Sequence, residues 1–561
     1  MTLLPERLKA LHTRTPNRVA VTLQFAGRED VPITCDRLLH GAAAFARTLA
    51  REGIQAGEVV VLILQHSEEL LYSFWGSILH GAIPSIMPFL TEKLSPERYR
   101  ADLTSLISVT RPTVIVTYPE FEADVRSALT ASDPVRAVIL TNQFEPEGEL
   151  SLDTLRGFER NAGDIVLLQH SSGTTGLQKG VALSHRAIFN QLDAYNKSLS
   201  LNEEDVIVSW LPLYHDMGLI AGFLMPILSG IHLVLMSPFD WVRAPYRLMQ
   251  SISSYRGTLV WLPNFAYNFC AQKIRDRHIE GVDLSSLRAV INCSEPVRWE
   301  SHRAFLEHFE KYGLRRSALQ TCYAMAENVF AVTQSRLDGE PLVVEVDREV
   351  FMTERVARIP YDDRPSMKMM SSGYPLENVQ IRILDENGND LPDYVIGEVA
   401  LKSDCMLTGY FNRPDLTEKA FRDGWYLTGD YGFISEGELF VSGRKKDMII
   451  VGGKNVYPQD LEMLSYEVPG VHAGRSVAFG MYDEEQGTEE VVIIAEVDSE
   501  DGAEQQRIAD ALRAHITKNS AIALRHVKVV GPKWILKTSS GKTARSANRE
   551  KFLEELQKVS K

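Results

Sequence analysis

Cysteine is scarce in this chain of 561 residues, with only Cys35, Cys270, Cys293, Cys322 and Cys405. They are odd in number and far apart, and no two form a Cys-x2-Cys pair. Neither a disulfide framework nor a zinc site is indicated, and a reducing compartment fits. No stretch approaches the roughly 18 uninterrupted apolar residues of a membrane span. The start Met1-Thr2-Leu3-Leu4-Pro5-Glu6-Arg7 lacks the basic end and apolar core of a secretory signal. The expectation is a cytoplasmic protein with no membrane span. Positive charge is in deficit too: 60 Lys and Arg face 74 Asp and Glu, a net charge of −14. A phosphate backbone demands a net basic face, so nucleic acid is excluded as a bulk partner. Internal repeats, heptad runs and low-complexity segments are also missing.

What the chain does have is apolar material, 44% of its residues, enough for a large core and more than one domain. Between about residues 34 and 260, helical stretches such as 38–52 alternate with short β-rich runs such as 59–64 and 113–117. That alternation predicts an α/β fold with largely buried sheets flanked by helices. Further β-like runs occur at 231–236, 257–262 and 289–293. A second, smaller α+β unit begins after Gly443, with a strand expected over 491–497 and a helix over 505–518.

The most informative stretch is His170-Ser171-Ser172-Gly173-Thr174-Thr175-Gly176-Leu177-Gln178-Lys179-Gly180, just beyond the apolar run Ile165-Val166-Leu167-Leu168. A strand opening into a loop of Gly, Ser and Thr reads as a phosphate cradle. Glycines let backbone N–H groups turn toward an anion, and hydroxyls add donors. The spacing fits neither the Gly-x4-Gly-Lys-[Ser/Thr] loop nor the GxGxxG of a dinucleotide fold.

This loop resembles the signature of the acyl-adenylate-forming superfamily, which includes acyl-CoA synthetases, fatty acyl-AMP ligases and the adenylation domains of peptide synthetases. Six further motifs of that family recur in its order: Leu213-Tyr214-His215-Asp216-Met217-Gly218, Cys293-Ser294-Glu295-Pro296, Tyr323-Ala324-Met325-Ala326-Glu327, Tyr426-Leu427-Thr428-Gly429-Asp430, Gly443-Arg444-Lys445-Lys446-Asp447 and Ser539-Ser540-Gly541-Lys542. The similarity covers nearly the whole chain, and the run from Ser209 to Gly218 is most like the fatty acyl-AMP ligase branch. The resemblance implies a large N-terminal domain over residues 1–443, a hinge at 444–446 centred on Lys446, and a small mobile C-terminal domain over 447–561.

Adenylation asks a carboxylate to attack the α-phosphorus of ATP, so two anions meet while negative charge grows on phosphate oxygens. Positive charge and oriented donors must neutralise that encounter. By resemblance, Lys542 is the catalytic lysine that reaches both the acyl carboxylate and the α-phosphate. His215 lies between the phosphates and the acyl site. A positioning role suits it better than general-base work, since the carboxylate has no proton to lose; a packed core histidine is the plain alternative. The resemblance assigns the nucleotide to Ser171, Ser172, Gly173, Thr174, Thr175, Gly176 and Lys179, to the turn Ser294-Glu295-Pro296, and to Tyr323 with Ala324 and Met325. Asp430 and Arg444 match its ribose-binding pair.

Glu327 offers the hard oxygen expected for Mg2+, and Thr174 a hydroxyl that can share the ion. The aromatic stretch 261–269 resembles the wall of an acyl tunnel, with Asn264 and Phe265 toward the acyl substrate. Two positions depart from the family's pattern. Ala324 stands for the usual glycine and Ala326 for a threonine, which removes a phosphate-facing hydroxyl.

The expected function is ATP-dependent activation of a fatty or other carboxylic acid, followed by transfer to the phosphopantetheine of an acyl carrier protein. An acyl-CoA ligase is the close alternative. The long link between Glu327 and Gly373 and the segment 455–462 favour the carrier protein, while Val451-Gly452-Gly453-Lys454 resembles a loop that CoA ligases bring to pantetheine. A catalytically silent adenylate- or acyl-binding module is the remote alternative.

Overall fold

The computed structural model describes residues 2–89, 96–144, 150–152, 154–171, 179–361, 364–451, 454–483, 488–520, 522, 524–538 and 541–559. It has a large N-terminal domain built on parallel sheets and a smaller C-terminal domain.

A four-stranded parallel sheet runs in the order Ile83–Ile86, Val59–Ile63, Val114–Thr117, Ala137–Leu140. Side chains alternate between its faces. Val60, Leu62, Val114 and Val116 enter the main core, while Val59, Val61, Ile63 and Ile115 enter a second core with Leu103 and Ile107 of the helix Pro96–Thr110. A strand covered on both faces has no polar side to show, which is why these segments are unbroken apolar runs. The helices Cys35–Arg51 and Glu68–His80 begin at Thr34 and Ser67, whose hydroxyls accept from Arg37 N and Leu70 N. The two helices pack at close range. A Cβ on Gly41 would lie 2.4 Å from the Tyr72 ring, so glycine is required there.

A nine-stranded sheet forms the centre of the domain. Its six middle strands are parallel: Leu319–Ala324, Ala289–Asn292, Leu259–Leu262, Val206–Ser209, His232–Met236 and Val19–Gln24. In open parallel sheets ligands gather outside the carboxyl ends of the strands. Here four carboxyl ends lead directly into residues 210–218, 263–265, 293–296 and 323–327, the segments singled out from the sequence.

An antiparallel sheet of Val379–Leu384, Gly397–Ser403, Trp425–Ser435 and Glu438–Arg444 pairs Asp430 with Arg444 in register. The C-terminal domain has its own core, including Leu461, Ile493, Ala495, Leu512 and Ile516. That core lies between the sheet of Ser476–Asp483, Thr488–Glu496 and Leu524–Val530 and the helices Pro458–Tyr466 and Gly502–Ser520.

The described residues of the long link after Glu327 form secondary structure. Strands Val343–Asp347 and Ser366–Met370 pair antiparallel around the helix Arg348–Thr353. That helix faces the C-terminal domain. Met352 is buried among Ile449, Val456 and Leu461, Arg348 donates to the carbonyl of Asn519, and Arg355 donates to Asn455 Oδ1 at 3.0 Å.

Candidate active site

The run after Val206–Ser209 forms one wall. His215 Nδ1 donates to Asp216 Oδ1 at 2.8 Å, and the same oxygen accepts the Met217 N–H at 2.8 Å. A carboxylate only accepts, so the Nδ1 proton is fixed and Nε2 is left over. That atom is buried and has no hydrogen-bond partner among the described residues. Gly218 allows the chain to fold back, since a Cβ there would come within 2.2 Å of the Pro212 carbonyl. Burial pushes the Asp216 carboxyl up, but the His215 hydrogen bond, the His215 and Lys542 charges and the Met217 N–H outweigh it and hold the group below its ordinary range.

Lys542 reaches this wall from the C-terminal domain. Its pocket, about 300 Å³ with the open mouth included, is also lined by Trp210, Pro212, His215, Met217 and Ser294. The loop is tied by Thr538, whose N–H donates to the Lys542 carbonyl at 2.7 Å and whose Oγ1 accepts the Lys542 N–H at 3.1 Å. Gly541 has φ +87 and lies against Phe265, where a Cβ would be 3.5 Å from the ring. Loss of water pushes Lys542 below the ordinary lysine range, and the carboxylates of Glu295 and Asp216 partly oppose that. Glu295 is itself held by the Phe265 N–H at 2.9 Å. Ser294 carries a strained φ of +70 in the turn before it.

The nucleotide side has a second set of contacts. Tyr323 donates to Asp430 Oδ2 at 2.6 Å, and Arg444 Nε lies 3.7 Å from Asp430 Oδ1. Burial raises the Asp430 carboxyl, against the pull of Arg444 and the Tyr323 hydroxyl. Ala324 ends the strand, and the Met325 N–H donates to the Phe330 carbonyl at 2.8 Å. Pro296 follows in the turn that leads to the helix Trp299–Phe309.

Glu327 is buried, with Oε1 accepting from Tyr410 at 2.8 Å. The Tyr410 ring is faced by Lys179 Nζ at 4.5 Å. Just beyond, Val329 is a fully buried β-branched residue at φ +63 and ψ −56, with Phe330 N donating to Asn328 O at 2.7 Å. This is a strained γ-turn, the kind of geometry that clusters at functional sites.

Ser172, Gly173, Thr174, Thr175 and Gly176 lie outside the described residues, as does the Ser171 side chain; Ser171 and Lys179 are paired in register at either end of that segment. Asn264 spends its amide internally, with Nδ2 donating to Ser301 Oγ at 3.1 Å and Oδ1 accepting from Asn292 and the Arg298 N–H. Its neighbour Phe265 lies beside Gly541 of the lysine loop. Lys446 sits in the short turn Lys445–Asp447 directly after the strand that ends at Arg444. Arg545 lies within the C-terminal domain, bonding Asp447 at 3.0 Å and Glu462 at 2.7 Å. Tyr410 escaped notice because it meets Glu327 only through folding, 83 positions away. Trp210 stood in a recognised motif, but nothing local marked it as pocket lining.

A lysine delivered into a pocket with a half-buried histidine, beside a tyrosine–carboxylate–arginine set and a separate buried glutamate, suits a ligase that activates carboxylates as adenylates. The chain belongs to the AMP-binding enzyme family, whose match covers residues 8–411. It is 32% identical over 70% of its length to 69% of the medium-chain-fatty-acid–[acyl-carrier-protein] ligase JamA of Moorena producens. It is 30% identical over 89% of its length to 86% of the long-chain-fatty-acid–AMP ligase FadD32 of Mycobacterium marinum. A solved structure from work on the fatty acyl-adenylate ligases of E. coli and L. pneumophila superposes with a TM-score of 0.91, at 26% identity, over 100% of this chain and 98% of that one.

Proposed function

We propose that the protein activates a fatty acid, or a related carboxylic acid, with ATP and passes the acyl group to the phosphopantetheine thiol of an acyl carrier protein. The observation that carries this reading is the placement of Lys542 in one pocket with His215 and Ser294, flanked by Glu295 and Asp216. In the first step an oxygen of the acid's carboxylate attacks the α-phosphorus, the bond to the bridging oxygen breaks, and pyrophosphate leaves. The Lys542 ammonium neutralises charge that grows on the α-phosphate. The wall bearing His215 Nε2 orients the reacting groups, and Asp430 with Arg444 fixes the ribose.

Among the described residues no group of three or more His, Cys, Asp or Glu side chains could hold a metal ion by itself. Mg2+ binds through one or two protein oxygens plus substrate phosphates and water. The buried Glu327 is the oxygen donor present for it, with Thr174 proposed as its companion. Mg2+ bound there would supply charge that offsets the phosphates of ATP. In the second step the thiol sulfur attacks the acyl carbon, AMP leaves with the electron pair of the broken acyl–oxygen bond, and the thiol proton passes to solvent.

The link packed on the C-terminal domain supports a carrier protein as acceptor. The competing reading, an acyl-CoA ligase, rests on the sequence Val451-Gly452-Gly453-Lys454, of which 452 and 453 lie outside the described residues. Residues 1–443 and 447–561 are proposed as the domains and 444–446 as the hinge. The test is to trap acyl-AMP with hydroxylamine in the presence of ATP and an acid, then to offer CoA and holo carrier protein side by side. Thioester on the carrier alone is the expected result, and thioester on CoA alone would replace the reading by its competitor.

A further inference from the structure

Behind the pocket that Lys542 enters lies a cluster of aromatic rings, in which Trp241 joins Phe265 and Phe269 of the stretch read from the sequence. Trp210 lines the pocket that Lys542 lines. Behind it Trp241 is stacked face to face, with ring centroids 3.6 Å apart and planes 4° from parallel. Phe265 meets both indoles edge-on at 6.3 Å, and Phe269 packs on Trp241 at 5.3 Å. Trp210 is 4% exposed and Trp241 is fully buried. Indoles held on several sides are poor at changing rotamer, because close-packed interiors leave no void to swing into.

The space available is small. Even with its open mouth included, the pocket holds only about 300 Å³. It must admit the carboxylate and leave Lys542 its access to the α-phosphate. A long alkyl chain would have to displace Trp210 and break its stack with Trp241. It would also disturb Phe265, whose ring lies beside Gly541 and whose N–H holds Glu295. Lengthening the acid would therefore unsettle the loop that carries the lysine. Met217, an adaptable thioether on the same pocket, can adjust to modest differences in shape.

We propose that the Trp210–Trp241 stack is the floor of the acid site and the specificity-determining element that confines the substrate to short- and medium-chain carboxylic acids. The inference rests on the adenylation reading above and adds the substrate class.

The experiment is pyrophosphate release with ATP, Mg2+ and a series of unbranched acids: butanoate, hexanoate, decanoate and hexadecanoate. The wild-type protein is expected to favour an acid no longer than decanoate over hexadecanoate by roughly tenfold or more in kcat/KM, the scale on which a hydrophobic pocket discriminates. Trp210→Ala is expected to move the optimum toward hexadecanoate, and Trp241→Leu, which removes the backing and keeps Trp210, to move it the same way by less. Equal or better use of hexadecanoate by the wild type would overturn the inference without any variant being needed. So would an unchanged chain-length profile in a Trp210→Ala protein that still melts cooperatively. Pyrophosphate release with none of the acids would overturn the adenylation reading itself, whereas preference for the long acid overturns only the floor.

Discussion

Tyr323 donates its hydroxyl to Asp430 Oδ2 at 2.6 Å, joining residues 107 positions apart in the chain. One side chain stands next to last in a strand of the central sheet, and the other lies on the antiparallel sheet. The bond sets the ring that the family resemblance assigns to the nucleotide at a fixed angle to the carboxylate proposed to hold the ribose. Either group moved alone would misplace the nucleotide.

Tyr323→Phe should therefore raise the KM for ATP and change kcat less. A hydrogen bond to a charged group contributes about 1.5–3 kcal/mol, so the expected rise is roughly tenfold or more. The pH dependence has a definite sign. Asp430 must be ionised to accept from ribose, and burial already raises it against the Tyr323 hydroxyl and Arg444. Removing the hydroxyl should raise it further, so ATP binding should be lost at a higher pH on the way down. KM for ATP measured from neutral to acid pH checks both parts; coincident profiles for mutant and wild type would remove the coupling.

Lys542→Ala should reduce adenylate formation by roughly 3 kcal/mol of transition-state stabilisation or more, with little loss of thermal stability. Dehydration lowers Lys542, so its charge disappears at a pH below the ordinary lysine range as pH rises. Adenylation should fall on that alkaline side. In Lys542→Arg the guanidinium stays charged, and whatever activity remains should hold to higher pH. Pyrophosphate release across the alkaline range decides the matter, and an identical alkaline fall in the arginine variant would assign it to another group.

Glu327→Gln should shift the Mg2+ titration of the first step to higher concentration, because a neutral amide is a poorer ligand for a hard cation. Tyr410→Phe should act more mildly on the same titration. It removes the hydroxyl that occupies Glu327 Oε1, leaving the carboxylate in place without its neighbour. The KM for the acid should move little in either variant. If both Mg2+ curves superimpose on the wild type, the ion is held by other residues.

Lys446→Pro should separate the two half reactions. Proline fixes φ near −65° and removes an N–H, so a residue that must adopt two backbone states is confined to one. Thioester formation should suffer most while adenylation survives better. Equal loss in both, or none in either, would leave Lys446 with no hinge role.

The sheets were legible because their signals are local. The apolar runs expected at 59–64, 113–117, 231–236 and 289–293 appear as Val59–Ile63, Val114–Thr117, His232–Met236 and Ala289–Asn292. The small-domain strand and helix expected at 491–497 and 505–518 appear as Thr488–Glu496 and Gly502–Ser520. What the sequence hid depends on long-range packing. Tyr410 reaches Glu327 from 83 positions away, and Trp241 comes behind the Lys542 pocket only by stacking on Trp210. The internal use of the Asn264 amide required Asn292 and Ser301 to be seen beside it. Arg545, three residues after the lysine, is a strut between Asp447 and Glu462 within the small domain.

The seating of Met352 in the core of the small domain sets an energy scale for motion. The methionine belongs to the link after Glu327, yet it is 9% exposed among Ile449, Val456 and Leu461. Rotating the small domain off that link would uncover it, along with the partners of Arg348 and Arg355. Exposing a buried methionine costs about 1.5–3 kcal/mol. From that contact alone, the rotated population falls by roughly tenfold to a hundredfold. A partner that needs the rotated arrangement would have to recover this difference through contacts it makes only there. Even a tight binder with equal affinity for both arrangements would leave the small domain where Met352 holds it.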